Sequence, residues 1–331
     1  MELETKCGIR LNQLDKLRTL CAFLIVLIHV ESPFSVYYIP VTRCAVPIFL
    51  ILSGFLMAHK KNNQIKRSIY TILRYVIVAT VVFSIVKLGV SIIKEDWEWI
   101  SVKAVSEFIL LNDNPFATHL WYLTAYLYVL IIFYFLVKKN IDIVKLWPLV
   151  PFLLIGNLFL GNYSCLFFDA DINCNLSRNF LFIGLPYFLM GVIINEKQKY
   201  LPKNANAYAI TIIIASISSC FEDCWLNTIN IQHVDDHFFS TPFLAVSLFL
   251  LFYSLKNNEN ITSRIGRSYS LYIYLYHPLV VFIYILIKTY ARIPEELFAW
   301  YSYVHPIVVF GLTTMGIHLV FKSRSIVYGW K

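Results

Sequence analysis

Ten apolar runs, each close to the length that a helix needs to cross a membrane, recur along the chain from residue 17 to residue 322. A hydrocarbon core of about 30 Å needs roughly 20 apolar residues in a helix, and a helix satisfies all its backbone hydrogen bonds in lipid. Hydrophobic residues make up 58% of the sequence and charged residues only 15%, which leaves too little polar surface for a soluble globule. We therefore predict an all-α, polytopic membrane helix bundle of about ten transmembrane helices in a single domain, 1–331. The predicted spans are 17–37, 40–58, 69–93, 119–137, 145–161, 178–195, 206–221, 238–255, 268–289 and 301–322.

The Lys and Arg residues outside these runs alternate in number from one connection to the next. The two termini and every second connection hold 20 of them, whereas the opposite set of connections holds six. Because basic connections stay in the cytoplasm, this asymmetry predicts that both termini are cytoplasmic. It also accounts for the formal net charge of +8 without a nucleic-acid partner, since the basic residues form short clusters and not one continuous face. The lipid bilayer is the partner that the composition predicts.

The first run contains ionisable residues that lipid disfavours, and each of them is a candidate for function. Asp15 and Arg18 lie at its inner lip and His29 lies within it. The 11 residues from Arg18 to His29 span about 1100° of helix, roughly 20° past three full turns, with a rise of ~16.5 Å, so the two side chains share one stripe. That stripe suits a ligand with an anionic head and a distant reactive end, such as an acyl-coenzyme A, because Arg binds phosphate and a neutral imidazole accepts a proton. The alternative is that Arg18 anchors the helix and His29 is a hydrogen-bonded interior residue.

Five sequence blocks resemble the membrane acyltransferase 3 family and occur in the family order. They are Leu14–Arg18 followed after ten residues by His29, Arg43–Leu56, His119–Leu123, Arg178–Gly191 and Ile265–Pro278. The wording of these blocks most resembles the branch that contains the enterobacterial common antigen O-acetyltransferase. The resemblance implies a multi-pass protein of the bacterial inner membrane type. It also implies transfer of an acyl group, usually acetyl, from cytoplasmic acetyl-CoA to a hydroxyl of a cell-surface glycan or a lipid-linked glycan precursor.

The resemblance further implies roles for individual residues. His29 would be the catalytic residue, acting either as a general base or as an acylated nucleophile, with Arg18 and Asp15 beside it. The predicted donor-binding residues are Arg18, Arg67, Arg74 and Lys66. For Lys66 and Arg67, anchoring at the inner face is the alternative reading.

A second polar set, predicted to bind the acceptor, lies toward the outer ends of spans two, four and six. It consists of Arg43, His119 and Arg178, and groups of this kind suit a glycan or a lipid-linked phosphate. Trp121 and His277 join it as an aromatic wall and a polar group in the ninth span, although either could be a packing residue. We expect a lined passage from the inner face near Arg18 past His29 to this set.

A transporter or flippase of a glycolipid or a small anion would also need buried Arg and His, but its signature of paired broken helices in inverted halves is not visible in the sequence.

We predict no metal, since a single His233-x3-His237 pair is a weak signal. Cysteines 165, 174, 220 and 224 lie at the predicted outer face, where disulfides can form. Ser53-Gly54 predicts close helix packing. It does not predict a catalytic serine, because no Gly-x-Ser-x-Gly nucleophile elbow surrounds Ser53.

Overall fold

The computed structural model describes residues 10–30, 32–95, 97, 99–168, 174–202, 204–229, 237–290 and 295–328. For 295–300 and 324–328 it describes the backbone alone. Within these ranges the chain is all-α, without strands. The helices are α1 (Asn12–His29), α2 (Ser35–Thr42), α3 (Ala45–Met57), α4 (Asn62–Lys94), α5 (Val102–Leu111), α6 (Trp121–Lys138), α7 (Leu149–Leu160), α8 (Ser164–Phe168), α9 (Leu185–Glu196), α10 (Ala205–Thr228), α11 (Thr241–Ser254), α12 (Ile261–Ser268), α13 (Ser270–Tyr290) and α14 (Glu295–Tyr328). Short 3₁₀ turns occur at Thr118–Leu120, Ile143–Leu146, Cys174–Leu176 and Gln198–Tyr200, and a π-helical turn at Phe180–Gly184 precedes α9.

The prediction of a polytopic helical membrane protein is confirmed. Among the described residues, seven helical stretches are long and apolar enough to cross a membrane. They are Ser35–Met57, Asn62–Lys94, Thr118–Lys138, Ile143–Leu160, Ala205–Thr228, Ser270–Tyr290 and Tyr301–Ser323. Phe180–Glu196 and Thr241–Ser254 are shorter apolar helices, and α1 carries three charged residues. Each predicted span therefore overlaps one of these helical segments. The cytoplasmic placement of both termini stays a prediction.

The first predicted span, 17–37, is wrong in its bounds. α1 begins earlier, at Asn12, and ends at His29, whereas a separate helix starts at Ser35. Val30 is already extended (φ −121°, ψ 119°), and Pro33 follows in a turn. Because a proline has no N–H and disfavours helical backbone in the residue before it, a helix from α1 cannot pass smoothly through this point. His29 is therefore the last residue of α1 and not an interior residue of one continuous helix.

The chain divides into two compact units, each built from separate stretches of sequence. The first unit contains residues 1–46, 204–221 and 240–331, and α1 lies at its centre, where it packs against α2, α11, α12, α13 and α14. One face of α1 is fully buried, including Leu14, Leu17 and Cys21. The prediction of a single domain over 1–331 stays a prediction.

The second unit contains residues 47–203 and 222–239. In it α6 packs against α4 and the π-helical turn, and α7 packs against α9. α3 and α9 cross closely, because a Cβ atom at Gly54 would overlap the carbonyl oxygen of Phe188, and one at Gly191 would overlap that of Ile51. Small residues let two helix backbones approach in this way. The prediction that Gly54 serves helix packing is confirmed.

In the described part of the chain, no disulfide joins the four outer cysteines to one another; they are Cys165, Cys174, Cys220 and Cys224. The Cys220 sulfur lies 3.4 Å from the carbonyl oxygen of Tyr37, and the Cys174 sulfur lies 3.7 Å from Asn175 Oδ1, so both groups contact oxygen atoms.

Candidate functional site

A buried carboxylate in the first unit gathers three arginines around the start of α1. Asp15 lies in the first turn of α1 and its side chain has no exposed surface. Arg10 Nε donates a hydrogen bond to its Oδ2 at 3.0 Å, and an Arg18 terminal nitrogen donates to its Oδ1 at 3.2 Å. Arg267 Nε lies 3.5 Å from Oδ2. We call these four residues the Asp15 cluster.

The close crossing of α12 and α1 brings Arg267 to this position. A Cβ atom at Gly266 would overlap the backbone carbonyl of Asp15 and crowd the Thr19 hydroxyl, so only glycine allows this approach. The Thr19 hydroxyl donates to the carbonyl of Thr262 at 2.6 Å and ties the two helices together. Glycine at 266 therefore determines that the following residue meets Asp15.

Polar contacts near the N-terminus of α12 fix the same junction. Arg267 donates to Asn12 Oδ1 at 2.8 Å, and the Asn12 N–H donates to Asn257 Oδ1 at 2.9 Å. Asn260 caps α12 by accepting from the Ser263 N–H at 2.9 Å. The Asp15 cluster is thus held by packing and by hydrogen bonds from both helices.

The Asp15 cluster has an excess of positive charge. Three guanidinium groups surround a single carboxylate, and the side chains of Arg10, Arg18 and Arg267 are 22%, 12% and 29% exposed. Glu259 approaches Arg267 at 3.4 Å but is itself 44% exposed, so water screens its charge. Guanidinium groups held in place by a buried partner are well suited to bind phosphate through paired N–H donors.

Two histidine rings meet at the other end of α1. His29 is its last residue and its side chain is exposed. Its ring centroid lies 5.2 Å from that of His277 in α13, with 34° between the ring planes. His277 has no exposed surface. The Asp15 cluster and this histidine pair therefore occupy opposite ends of one helix, and both belong to the first unit.

The structure places the remaining predicted site residues as follows. Arg43 lies in the first unit, half-buried in the turn between α2 and α3. Lys66, Arg67 and Arg74 lie in the second unit, in α4, with exposed side chains. The Lys66 ammonium group sits 5.5 Å from the centre of the Tyr134 ring. Arg67 and Arg74 are separated by seven residues and so share one helix face.

The structure brings two of the predicted acceptor residues together in the second unit. The guanidinium carbon of Arg178 lies 5.8 Å from the centre of the Trp121 ring, within the range of a cation–π contact. Arg178 also donates to Asn175 Oδ1 at 3.5 Å, and Asn175 donates to Asp113 Oδ2 at 2.8 Å. His119 is buried in the 3₁₀ turn just before α6, with its ring edge-to-face against Phe83 at 4.7 Å.

Asp113 joins this arrangement although its sequence position gave no strong signal. Burial raises the pKa of its carboxyl, and Glu107 adds to the increase, while Arg178 and the Asn175 hydrogen bond oppose it. Sequence reasoning also missed Arg10 and Arg267 as members of the Asp15 cluster. Both belong to the basic residues that were used to predict topology, and Arg267 also lies inside the Ile265–Pro278 block that carried the family resemblance.

Within the described ranges, no three His, Cys, Asp or Glu side chains are grouped as metal ligands would be. His233 lies outside the described residues. His237 is buried, and its Nε2 lies 2.6 Å from the hydroxyl of Tyr187. The prediction of no metal stays a prediction.

Comparison with known proteins identifies the family of this chain. The sequence profile of a family described as an acyltransferase domain matches residues 11–321. No curated protein and no solved structure matches the chain. The matched region covers nearly the whole chain. It includes α1, α12 with Arg267, and the predicted acceptor residues. The protein belongs to this family of acyltransferases and is a multi-pass membrane protein.

Proposed function

We propose that the protein transfers an acetyl or similar short acyl group from cytoplasmic acyl-coenzyme A to a hydroxyl of a cell-surface glycan or of a lipid-linked glycan precursor. Family membership supports acyl transfer. The observation that carries the finer proposal is that α1 holds the Asp15 cluster at its first turns and the His29–His277 pair at its end. Eleven residues of helix separate Arg18 from His29 by ~16.5 Å along the axis.

The Asp15 cluster supports an acyl donor that carries several phosphates. Three guanidinium groups lie around one buried carboxylate, and the phosphates of such a donor complement a cluster of guanidinium groups. Coenzyme A has a pyrophosphate and a separate phosphate at one end and its thioester at the far end of an extended arm. A phosphate head at Arg18 would leave that arm free to run along α1 toward His29. Arg67, Arg74 and Lys66 remain predicted donor residues.

His29 supports attack by a hydroxyl. In the general-base route, the acceptor oxygen attacks the thioester carbonyl while its proton moves to a bare ring nitrogen of His29. The carbon–sulfur bond then breaks and the thiolate takes that proton. In the nucleophile route, His29 itself carries the acyl group before the hydroxyl does. A burst of free thiol before acceptor is added distinguishes the second route from the first.

The acceptor is proposed from the chemistry of the second polar set. The Trp121 ring with the Arg178 guanidinium beside it offers the groups that bind a sugar ring and a phosphate. His119, Arg43 and His277 remain predicted acceptor residues. We propose a bacterial inner membrane as the location, because the branch that the sequence resembles acts on envelope glycans.

The proposal is tested with the full chain in lipid nanodiscs, radiolabelled acetyl-coenzyme A and a glycolipid extract. Label should appear in the glycolipid fraction with the wild type and fall to background with His29→Ala. His318→Ala is the matched control, since His318 is exposed and hydrogen-bonds Tyr269 at 2.9 Å. Retention of more than a few per cent of wild-type turnover by His29→Ala would overturn the catalytic role. Movement of an intact glycolipid or anion without label transfer would favour the transporter alternative.

The donor site is tested separately. Arg18→Ala should raise the KM for acetyl-coenzyme A about tenfold or more, because a charge-assisted contact contributes roughly 1.5–3 kcal/mol. Arg264→Ala, which removes a 72% exposed arginine from the neighbouring α12, should leave that KM unchanged. An unchanged donor KM in Arg18→Ala would overturn this assignment.

A further inference from the structure

The segment that follows α5 carries three consecutive polar residues, Asn112, Asp113 and Asn114, and buries the two outer ones. Asn112 and Asn114 are 0% and 1% exposed, whereas Asp113 is half-buried. Asn114 Nδ2 donates to Thr80 Oγ1 in α4 at 3.2 Å, and its Oδ1 accepts the N–H of Phe116 at 3.0 Å. The segment is therefore anchored on both sides of Asp113, while the carboxylate between the anchors stays partly accessible.

Asn112 ties this segment to the two stretches of chain that carry Trp121 and Arg178. Its Nδ2 donates to the carbonyl of Trp121 at 3.3 Å, and its Oδ1 accepts the N–H of Phe180 at 2.8 Å. Phe180 begins the π-helical turn, two residues after Arg178. Such turns are rare and are frequently found at functional sites. One buried amide thus fixes how the three stretches meet around Asp113.

The Asp113 carboxylate lies among groups of the predicted acceptor set. Its Oδ2 accepts a hydrogen bond from Asn175 Nδ2 at 2.8 Å, and Asn175 Oδ1 accepts from Arg178 at 3.5 Å. The Arg178 guanidinium carbon lies 5.8 Å from the centre of the Trp121 ring. All four residues belong to the second unit, and we call them the Asp113 site. A carboxylate has about four lone-pair sites, so Asp113 can accept further hydrogen bonds besides the one from Asn175.

The groups of the Asp113 site distinguish ligands by their charge. A sugar ring presents hydroxyl donors to a carboxylate and an apolar face to an aromatic ring. A uronic acid, sulfate or phosphate held against Asp113 would instead meet a like charge, which is unfavourable. Arg178 alone would attract any anion, whereas a carboxylate beside it disfavours one at its own position. The ligand group that suits Asp113 is therefore neutral and hydroxylated.

The stability of the fold supplies an independent argument. Burial raises the pKa of Asp113, so ionising this carboxyl at neutral pH lowers the stability of the folded state. A neutral asparagine would not have that cost. Groups whose pKa is displaced by burial and by specific partners are concentrated at functional sites, which favours a ligand-binding role over a structural one.

We propose that Asp113 binds the hydroxyl groups of a neutral sugar unit of the acceptor. This inference rests on the proposed function, and it adds to the acceptor set a residue that the sequence did not indicate. Asp113 forms and breaks no covalent bond. It acts by holding the sugar beside Trp121 and Arg178.

Asp113→Asn tests this role, because asparagine keeps the shape of the side chain and can still accept from Asn175 but has no charge. We use the full chain in lipid nanodiscs, with the glycolipid extract as acceptor. The acceptor KM should rise roughly five- to tenfold, since neutral hydrogen bonds replace charge-assisted ones. The kcat and the donor KM should stay within about twofold of wild type, as expected when binding alone is weakened. Thermal stability at pH 7 should equal or exceed that of wild type.

Glu95→Gln is the matched control, because it removes an exposed carboxylate from the same connection between α4 and α6. It should leave both KM values and kcat unchanged. An unchanged acceptor KM in Asp113→Asn, or an equal rise in Glu95→Gln, would overturn the proposal. A loss of stability in Asp113→Asn together with a rise in both KM values would assign Asp113 a structural role and would also overturn it.

The neutral character of the sugar is tested on the acceptor itself. Methyl esterification of the carboxyl groups in the glycolipid extract removes the charge of any acidic sugar. The acceptor KM of the wild type should stay the same after this treatment. A clear decrease in that KM would show that an acidic sugar contacts the site, which contradicts the proposal.

A further measurement does not depend on turnover. Carbodiimide with glycine ethyl ester converts accessible carboxyl groups to amides, and mass spectrometry gives the rate at each residue. The glycolipid extract should slow the modification of Asp113 severalfold but not that of Glu95. Extract whose vicinal hydroxyls have been destroyed by periodate should not protect Asp113. Absence of protection by the intact extract refutes the contact. If the wild type transfers no label, the proposed function fails, and the protection of Asp113 still decides whether the sugar contact exists.

Discussion

Gly266 is the point at which α12 approaches α1, and its substitution tests how the Asp15 cluster is assembled. A Cβ atom there would overlap the backbone carbonyl of Asp15, which cannot move aside as the end of a flexible side chain could. Overpacking of this kind costs about 1–3 kcal/mol. Alanine recovers at most about 1 kcal/mol through its better helix propensity. Because the overlap is with backbone, the upper end of that overpacking range applies, and Gly266→Ala should lower the free energy of unfolding by roughly 2 kcal/mol.

The same displacement should reach function, because Arg267 is the next residue along α12. Moving it away from Asp15 weakens the Asp15 cluster, so we expect a raised KM for acetyl-coenzyme A with little change in kcat. Thermal unfolding in detergent measures the first effect, and initial rates at varied donor concentration measure the second.

Gly316→Ala in α14 is the matched control, because nothing lies within 4 Å of a Cβ atom built at that glycine. It should show no loss of stability and an unchanged donor KM. The reasoning is refuted if Gly266→Ala is as stable as wild type with the same KM, or if the control loses stability to the same degree.

Three further predictions follow from other parts of the structure. Asp15→Asn should lower the free energy of unfolding by roughly 3 kcal/mol, because it leaves three guanidinium groups around a neutral amide. In the control, Asp142→Asn, asparagine can also cap the exposed helix end, so the free energy of unfolding should change by less than about 0.5 kcal/mol. Chemical denaturation compares the two variants. Trp121→Leu should raise the acceptor KM but not the donor KM, because it removes the ring that the Arg178 guanidinium contacts. Tyr200→Leu, which removes the ring of an exposed Lys–Tyr contact, should change neither KM in a steady-state assay. Because burial raises the pKa of Asp113, the folded state binds the carboxyl proton more tightly than the unfolded state does. The stability of the wild type relative to Asp113→Asn should therefore fall as the pH rises from the ordinary carboxyl pKa to the raised one. Unfolding measured at about pH 4 and about pH 7 checks this, and a constant difference between the two proteins would contradict it.

The sequence by itself determined the class of fold, because the need to bury backbone polar groups in lipid is met helix by helix. Run length and apolar content placed every span on a helix, with bounds off by up to seven residues, except the first, where a proline ends the local preference for helix. The stripe from Arg18 to His29 was also readable, since helical periodicity is a property of neighbouring residues along one segment. Gly54 was readable for a related reason, because a small residue between apolar neighbours in a span favours close packing.

Only the tertiary structure decided which distant residues complete each site. Arg267 reaches Asp15 because one glycine lets two helices cross, and His277 reaches His29 because α13 packs along α1. Arg178 reaches Trp121 in the same way, through packing within the second unit. No periodicity links these pairs, since each of them joins two segments that are far apart in the chain. Periodicity acts within a segment, whereas the meeting of two segments depends on the shape of their packed surfaces, which a single sequence does not display.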